Sequence, residues 1–311
     1  MTSCGVVTLA LGRRKYLEMA ANLALSLRNS SLPISLVTDD VGMALVDQDI
    51  EIAGLFDRVV RGHSMPTGPA AKLWVNLFSP YERSVFIDAD CLCYGFRSEV
   101  LDGMTTSPLT LVPVAWRKYW GGKNLVELGG QFGVERFPKI NSGTFGWRKC
   151  TRSDAAFAYA RELLRRDPYK FSWDLGGRRD IVNDEPLLVA GALHSGCMRL
   201  VYELFDREVM VSTLNARSFN LNVTVPRSSF VKEGKRVSPY IVHFCELFPN
   251  QHYRDDVERL CPGRGSIGDT HTRDALKRRL GRFMRAWCSS VYKYRNAYMC
   301  IGEFGEGDSC A

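Results

Sequence analysis

The first forty residues constrain the fold more than any other part of this chain. Residues 5–10 form a short β-branched run, residues 15–28 carry apolar side chains at helical spacing, and residues 33–38 form a second apolar run. A strand, a helix of about a dozen residues and another strand make a βαβ unit, whose strands run parallel with the helix covering one face. We therefore expect an α/β fold built on a parallel sheet.

The alternation of apolar strand-like runs and helical segments continues along the body of the chain. It predicts strands at residues 57–60, 84–87, 109–114, 140–147 and 239–244, with more in 199–213. It predicts helices at residues 70–78, 154–166 and 185–193, with Asp154 near the N-cap of the second. Residues 118–133, rich in glycine and aromatics, are predicted to be a loop. These elements predict a mixed, mostly parallel sheet flanked by helices over residues 1–262, followed by a basic C-terminal tail at 263–311.

Composition excludes several classes of protein. In 311 residues the apolar, aromatic and charged fractions are 45%, 11% and 24%, close to soluble globular averages, so general disorder and fibrous repeats are excluded. No apolar run approaches the roughly 20 residues of a membrane span. Ten cysteines include no Cys-x-x-Cys pair, which argues against a zinc module or a thioredoxin-like site. Without a visible secretory signal we expect reduced thiols and a cytoplasmic protein.

The positive charge is concentrated near the C-terminus. Residues 273–295 hold eight basic side chains and one acid, which equals the whole net charge of +7, so the remaining body is neutral. A neutral body has no basic excess for a nucleic-acid backbone, and we expect no nucleic-acid partner. The same segment carries an apolar stripe at helical spacing. It fits either an interfacial helix on an anionic membrane or a helix packed on the protein's own core.

Two Asp-x-Asp triplets occur, and their contexts differ. Asp47-Gln48-Asp49 lies in a polar stretch and is expected at the surface. Asp88-Ala89-Asp90 directly follows the apolar strand predicted at 84–87, where ligands collect in open α/β sheets. Two carboxylates there repel each other unless a cation neutralises them, and Mg²⁺ or Mn²⁺ would suit such hard oxygen ligands. The alternative is a pair of solvated loop aspartates.

Three other polar features are candidates for the same site. His243 lies in the late strand and is either structural or the completion of an oxygen-rich metal site, in which case Mn²⁺ is favoured. Asn141-Ser142-Gly143 offers a polar, backbone-accessible spot at the head of a strand. Asn183-Asp184-Glu185 places carboxylates at the start of an apolar helix, where they either cap the helix or act in a site.

Together these elements resemble the GT-A class of nucleotide-sugar glycosyltransferases, in particular the retaining glycogenin- and galactosyltransferase-like family (glycosyltransferase family 8-like). The resemblance spans about residues 4–253. It rests on the βαβ start, on Lys72 placed 16 residues before Asp88, on the Asp-Ala-Asp strand end, and on the later Asn-Ser-Gly, Asn-Asp-Glu and histidine elements.

The resemblance implies a role for each matching position. Asp88, Asp90 and His243 would bind Mn²⁺ or Mg²⁺, and Asp184, Glu185 and Asn141 would act on the donor sugar. The nucleotide-sugar pocket, with a UDP-sugar as donor, would be lined by Thr8, Ala10, Asp39, Asp40, Lys72, Asp88, Ala89, Asn141 and Ser142. The implied reaction transfers the sugar, with retention, to a glycan or a lipid-linked acceptor.

The sequence departs from this family in two places. Residues 246–250 lack the lysine that the family often carries after its histidine, and Glu185 stands where glutamine is usual. Two other functions are possible. One is a non-catalytic binder of sugar nucleotides or glycans. The other is a nucleotidyltransferase, which would need a glycine-rich, arginine-bearing loop directly after the first strand, and Leu11-Gly12-Arg13-Arg14 is only a weak match to such a loop. Aromatic residues of the 116–133 segment, Tyr119 and Trp120, either stack on sugar or simply pack. The glycine triplet at 263–268 follows no strand and is expected to be a linker.

Overall fold

A mixed seven-stranded sheet lies at the centre of the fold. The computed structural model describes residues 4–115, 117–120, 123–167, 182–245 and 251–262. The predicted basic tail, the glycine-rich linker and the cation-free segment at 246–250 lie outside these residues.

The secondary structure of the described residues alternates strands and helices through the first two thirds of the chain. The strands are β1 (Cys4–Ala10), β2 (Ile34–Thr38), β3 (Arg58–Arg61), β4 (Arg83–Ile87), β5 (Cys91–Cys93), β6 (Leu109–Pro113), β7 (Tyr119–Trp120), β8 (Lys123–Asn124), β9 (Ile140–Arg148), β10 (Met198–Leu200), β11 (Glu203–Leu204), β12 (Arg207–Glu208), β13 (Met210–Ser212), β14 (Ala216–Asn220), β15 (Ser229–Lys232), β16 (Lys235–Val237) and β17 (Ile241–His243). The α-helices are α1 (Arg14–Leu27), α2 (Asp40–Gln48), α3 (Ile50–Ala53), α4 (Val75–Phe78), α5 (Ser98–Met104), α6 (Leu125–Gly130), α7 (Thr151–Arg166), α8 (Asp184–His194) and α9 (Gln251–Leu260), and 3₁₀ turns span Arg28–Ser30 and Pro69–Trp74.

The central sheet has the strand order β10-β6-β9-β4-β1-β2-β3. Its neighbours run parallel except that β9 runs antiparallel to both β4 and β6. The predicted mixed, mostly parallel α/β sheet is therefore confirmed.

Alternation along the strands divides the core between the two faces of this sheet. Val6 and Val85 belong to the cluster beneath α1, while their neighbours Val7 and Phe86 belong to the cluster beneath α7 and α8. Each strand that leads to the candidate site is thus anchored by apolar packing on both sides.

A second, three-stranded sheet with the order β13-β17-β5 lies beside the central one. Strand β5 follows the Asp-Ala-Asp turn at once, and β17 pairs with it antiparallel so that His243 lies directly opposite Cys91. This pairing connects the start of the site to a residue more than 150 positions later in the chain.

Some local predictions were wrong. Residues 118–133 are not a loop throughout, because the Asn124 side chain accepts a hydrogen bond from the Val126 amide and starts α6. Helix α7 begins at Thr151 with Cys150 as its N-cap residue, so Asp154 lies inside the helix, where its carboxylate accepts a hydrogen bond from Asn76.

Other elements were not predicted at all. Helices α2 and α5 and the β14-β15-β16 meander each lack a clear apolar period in the sequence. Among the described residues, no helix combines the length and the apolarity needed to cross a membrane.

Candidate active site

The Asp-Ala-Asp turn lies at the carboxyl end of β4, as predicted. The Asp88 amide donates a hydrogen bond to the Gly143 carbonyl (2.9 Å), and the Cys91 amide donates one to the Asp88 carbonyl (3.0 Å). The Phe244 amide donates to the Asp90 carbonyl (3.1 Å). Backbone hydrogen bonds to two separate segments, at Gly143 and Phe244, therefore hold this turn in place.

His243 contacts both aspartates of the turn. Its Nε2 lies 3.2 Å from Asp90 Oδ1 and 3.7 Å from Asp88 Oδ2. Its Nδ1 lies 3.1 Å from Asn141 Oδ1, which also accepts a hydrogen bond from the Gly143 amide (2.8 Å). An acceptor at Nδ1 leaves Nε2 directed at the carboxylates, as for histidine ligands of metals. The structure thus brings the three predicted metal ligands together.

Gly143 makes room for this imidazole. A Cβ added there would lie 2.3 Å from His243 Nδ1, a distance that real contacts do not reach. Burial opposes protonation of His243, but Cys245 and the Asp90 carboxylate together raise the pKa of the imidazole well above its ordinary value.

Lys72 joins the turn to the acidic start of α8. Its ammonium group donates hydrogen bonds to Asp88 Oδ2 (2.7 Å) and Ser142 Oγ (3.1 Å), and lies 3.5 Å from Asp184 Oδ2. Burial opposes the charge, but the carboxylates of Asp184 and Asp88 outweigh it and raise the pKa of Lys72. The two acidic pairs seen in the sequence therefore belong to one site.

The carboxylates of Asp184 and Glu185 are not used to cap α8, because Asn183 does so: its side chain accepts a hydrogen bond from the Glu185 amide (3.0 Å). Asp184 is buried, and its Oδ2 accepts no hydrogen bond from the residues that the structure describes. Glu185 Oε1 accepts a hydrogen bond from the Ser142 amide (3.2 Å). Burial, followed by the Asp184 charge, raises the pKa of Glu185 to about 8.

The donor atoms of this cluster fit a divalent cation. Asp90, Cys91 and His243 each offer one ligand atom, and these atoms lie within 4.8 Å of one another. Asp88 is bound by Lys72 but remains within 3.7 Å of His243 Nε2. Carboxylate oxygen and imidazole nitrogen together suit Mn²⁺. Cys91 was not among the predicted site residues, although its position directly after Asp90 was the available signal.

The residues predicted to line a nucleoside pocket have mainly local partners. Thr8 is fully buried, and its Oγ1 has no hydrogen-bond partner in the described part of the chain. The Ala10 carbonyl accepts a hydrogen bond from Thr38. Asp39 caps α2 through the Gly42 amide (2.9 Å), and Asp40 is exposed, 3.4 Å from Arg61. The structure therefore places these residues in and just after β1 and β2, and the parallel pairing of β1 with β4 sets the end of β1 beside the turn that carries Asp88.

The structure places Ala89, the second aspartate triplet and the two aromatic residues in the core or at the surface. Ala89 is buried in the core cluster beneath α1. Asp47 is exposed, and Asp49 caps α3 through the Ile52 amide, so the second triplet lies at the surface as expected. Of the two aromatic residues, Trp120 packs in the core and Tyr119 is half exposed.

Comparison with known proteins supports the fold. No protein-family model matches the chain, and no curated protein matches its sequence. The chain is similar to the galactosyltransferase LgtC in complex with donor and acceptor sugar analogs, at 12% identity and a TM-score of 0.51, over 82% of this chain and 93% of that one.

Two other solved structures match less well. The glycosyltransferase GlyE of Streptococcus pneumoniae TIGR4 matches at 13% identity and a TM-score of 0.42, over 64% of this chain and 46% of that one, so the match spans under half of GlyE. A putative glucose-1-phosphate thymidylyltransferase from Bacillus anthracis, in complex with a sucrose, matches at 12% identity and a TM-score of 0.36, over 64% and 86% of the two chains. Because its structure matches that of LgtC over most of both chains, this chain has the GT-A fold.

Proposed function

We propose that this chain is a metal-dependent glycosyltransferase that moves a sugar from a nucleoside diphosphate sugar, with UDP as the nucleotide, to a hydroxyl group of a glycan or lipid-linked acceptor. The observation that carries the proposal is the position of Lys72 between Asp88 and Asp184, beside the carboxylates that His243 contacts. Fixed cations beside a buried acid suit a reaction in which negative charge develops on one side of a carbon and positive charge on the other.

Asp88, Asp90 and His243 would hold the cation. When bound, Mn²⁺ or Mg²⁺ supplies positive charge for the departing diphosphate. Asn141 keeps the His243 imidazole turned toward the carboxylates, and Gly143 leaves the space that the ring fills. The oxygen of Asn141 is used in this way, so its amide Nδ2 is the group that would donate a hydrogen bond to the donor sugar.

Lys72 would contact a phosphate oxygen or the donor sugar. Its ammonium is already held by Asp88 and Ser142, so its charge needs little reorganisation when substrate binds. Thr8, Ala10, Asp39 and Asp40 would line the nucleoside pocket at the ends of β1 and β2.

Asp184 and Glu185 would both face the reacting carbon. Asp184 lies beside Lys72 and offers a buried carboxylate oxygen that makes no hydrogen bond with any of the described residues. Glu185, with a pKa of about 8, keeps its proton at neutral pH. It would then act as a neutral hydrogen-bonding group, as glutamine does at this position in the similar family. A protonated Glu185 cannot take the acceptor's proton, so that proton would pass to Asp184 or to an oxygen of the departing diphosphate. Retention, with attack from the face that the diphosphate leaves, is proposed from the resemblance to the similar family.

Turnover tests the proposal directly. The purified chain is incubated with a panel of nucleotide sugars and Mn²⁺, and release of nucleoside diphosphate is followed with and without EDTA. We expect release from one donor, its loss in EDTA and its loss in Asp90→Ala. Asp47→Ala, taken from the surface triplet, should release as wild type does. Binding without release would identify a sugar-nucleotide binder instead, and release that survives Asp90→Ala would contradict the metal site.

We also propose that the basic segment at 273–295 brings the chain to a membrane surface. Its eight cations and apolar stripe suit the surface of an anionic membrane, where a lipid-linked acceptor would be found. Deletion of residues 270–311 should abolish co-sedimentation with anionic vesicles, and unchanged co-sedimentation would reject membrane binding by this segment.

A further inference from the structure

We propose that Asp90, Cys91 and His243 form a three-donor site for a thiophilic divalent cation of the Zn²⁺ class, with the Cys91 sulfur as a ligand. This goes beyond the proposed transferase, because the site needs no sugar nucleotide and no turnover. It adds a sulfur donor to a cluster that the sequence predicted to bind a hard cation through oxygen and nitrogen alone.

The sheet pairing places the sulfur beside the imidazole. Cys91 and His243 are direct cross-strand partners in the antiparallel β5-β17 pair, so their side chains project from the same face. The ligand atoms of Asp90, Cys91 and His243 lie within 4.8 Å of one another, and His243 Nε2 is 3.2 Å from Asp90 Oδ1. A tetrahedral Zn²⁺ with ligands at about 2.0–2.3 Å separates its donors by roughly 3.3–3.7 Å. Small side-chain rotations would therefore close the site.

The imidazole is already held as such a site requires. Asn141 Oδ1 is the hydrogen-bond partner of His243 Nδ1, which leaves His243 Nε2 as the nitrogen that can bind a metal. The Gly143 amide donates a hydrogen bond to the same Asn141 oxygen and holds it in place. The Cys91 sulfur has a weak partner to give up, the Gly143 carbonyl at 3.8 Å. On coordination the thiol releases its proton to solvent and the thiolate bonds the metal.

Ligand softness separates this site from a Mn²⁺ or Mg²⁺ site at the same place. Thiolate favours Zn²⁺ and its spectroscopic substitute Co²⁺, whereas carboxylate oxygen favours Mg²⁺ and Mn²⁺. The two classes of cation would share Asp90 and His243, so they would compete. Zn²⁺ would additionally recruit Cys91, which a hard cation leaves in the core.

Cys93 provides a matched control. It lies two residues along the same strand and is equally buried, but its cross-strand partner is Ile241 and its backbone amide donates a hydrogen bond to Ser26 Oγ. Cys245 is the competing thiol, because it lies two residues after His243 and its backbone amide donates a hydrogen bond to the His243 carbonyl (3.0 Å). Removing each cysteine separately therefore identifies the ligand.

The test is a Co²⁺ titration of the full, reduced, metal-stripped chain, followed by thiolate-to-cobalt charge-transfer absorption. We expect the first equivalent to give this absorption, Zn²⁺ to displace it, and Cys91→Ala to lose it with at least a tenfold weaker affinity. Cys93→Ala and Cys245→Ala should keep it. Absence of the band in wild type, its survival in Cys91→Ala, or its loss in either of the other variants would overturn the assignment.

A second measurement avoids dependence on the folding of Cys91→Ala. X-ray absorption of the wild-type chain with one equivalent of Zn²⁺ should show sulfur at about 2.3 Å, and Asp90→Asn and His243→Gln should each weaken Co²⁺ binding at least tenfold. A shell of only nitrogen and oxygen, or unchanged affinity in both variants, would refute the site. Sulfur ligation in a chain that releases no nucleotide would leave the site standing and reject the transferase.

Discussion

Replacing Glu185 by glutamine should stabilise the metal-free protein, and the gain should depend on pH. Burial and the Asp184 charge raise the pKa of Glu185 from 4.5 to about 8, so the folded chain keeps a proton that the unfolded chain has lost. Between these two values the folded state binds more protons, and wild-type stability therefore falls as pH rises. Glutamine carries no such proton and avoids this cost.

The magnitude follows from the size of the shift. Each pH unit between 4.5 and 8 corresponds to about 1.4 kcal/mol, and pH 7 lies 2.5 units above 4.5, which gives an upper limit of about 3.4 kcal/mol at pH 7. Glu185 is only partly shielded from water, so a gain of about 2 kcal/mol is the expected value. The difference between variant and wild type should vanish near pH 4.5, grow to about pH 8 and stay constant above it.

Urea denaturation in EDTA at several pH values measures this difference. Glu162→Gln, an exposed position on α7, is the matched control and should differ from wild type by less than about 0.5 kcal/mol at every pH. A Glu185→Gln gain that is the same at pH 5 and pH 8, or a variant less stable than wild type at pH 8, would refute the electrostatic reasoning.

Three further substitutions test the contacts of the site. Lys72→Met leaves two carboxylates without their cation and should cost about 3–5 kcal/mol in urea denaturation, part of which Mn²⁺ should restore. Gly143→Ala places a Cβ against the His243 ring and should weaken calorimetric Mn²⁺ binding at least tenfold, whereas Gly130→Ala, in open space, should not. Asn141→Leu should weaken Mn²⁺ about 10–100-fold by releasing the imidazole, and Asn141→Asp should preserve binding because it keeps an acceptor. Equal effects of the two Asn141 variants would show that the hydrogen bond does not position the ring.

The parts of the fold that local pattern determines were predictable. The βαβ start and the strand before Asp88 follow from apolar periodicity, and parallel strands deliver their carboxyl ends to one edge of the sheet. The direction of β9 was not predictable, because an antiparallel strand buried on both faces has the same apolar run as a parallel one. Helix α6 was missed because its start depends on one capping side chain, Asn124.

The acidic residues of the site were predictable from the sequence, but the contacts that join them to residues of other elements were not. Asp88, Asp90, Asp184 and Glu185 stand at element ends, where sequence context marks them. That Lys72 contacts two of these acids depends on packing between distant elements, which no local pattern encodes. Cys91 lies in an apolar run and is buried in the core, so only the cross-strand pairing with His243 shows that it is close to the metal-site residues.

Linkage between metal and nucleotide most directly tests whether the acid pair is neutralised by a cation shared with a diphosphate. Calorimetry would give the Mn²⁺ affinity of the chain with and without UDP, and the UDP affinity with and without Mn²⁺. We predict that each ligand strengthens the other by the same factor, at least tenfold, and that Asp90→Ala removes this coupling. Independent binding of the two, or tight UDP binding that EDTA leaves unchanged, would contradict the account.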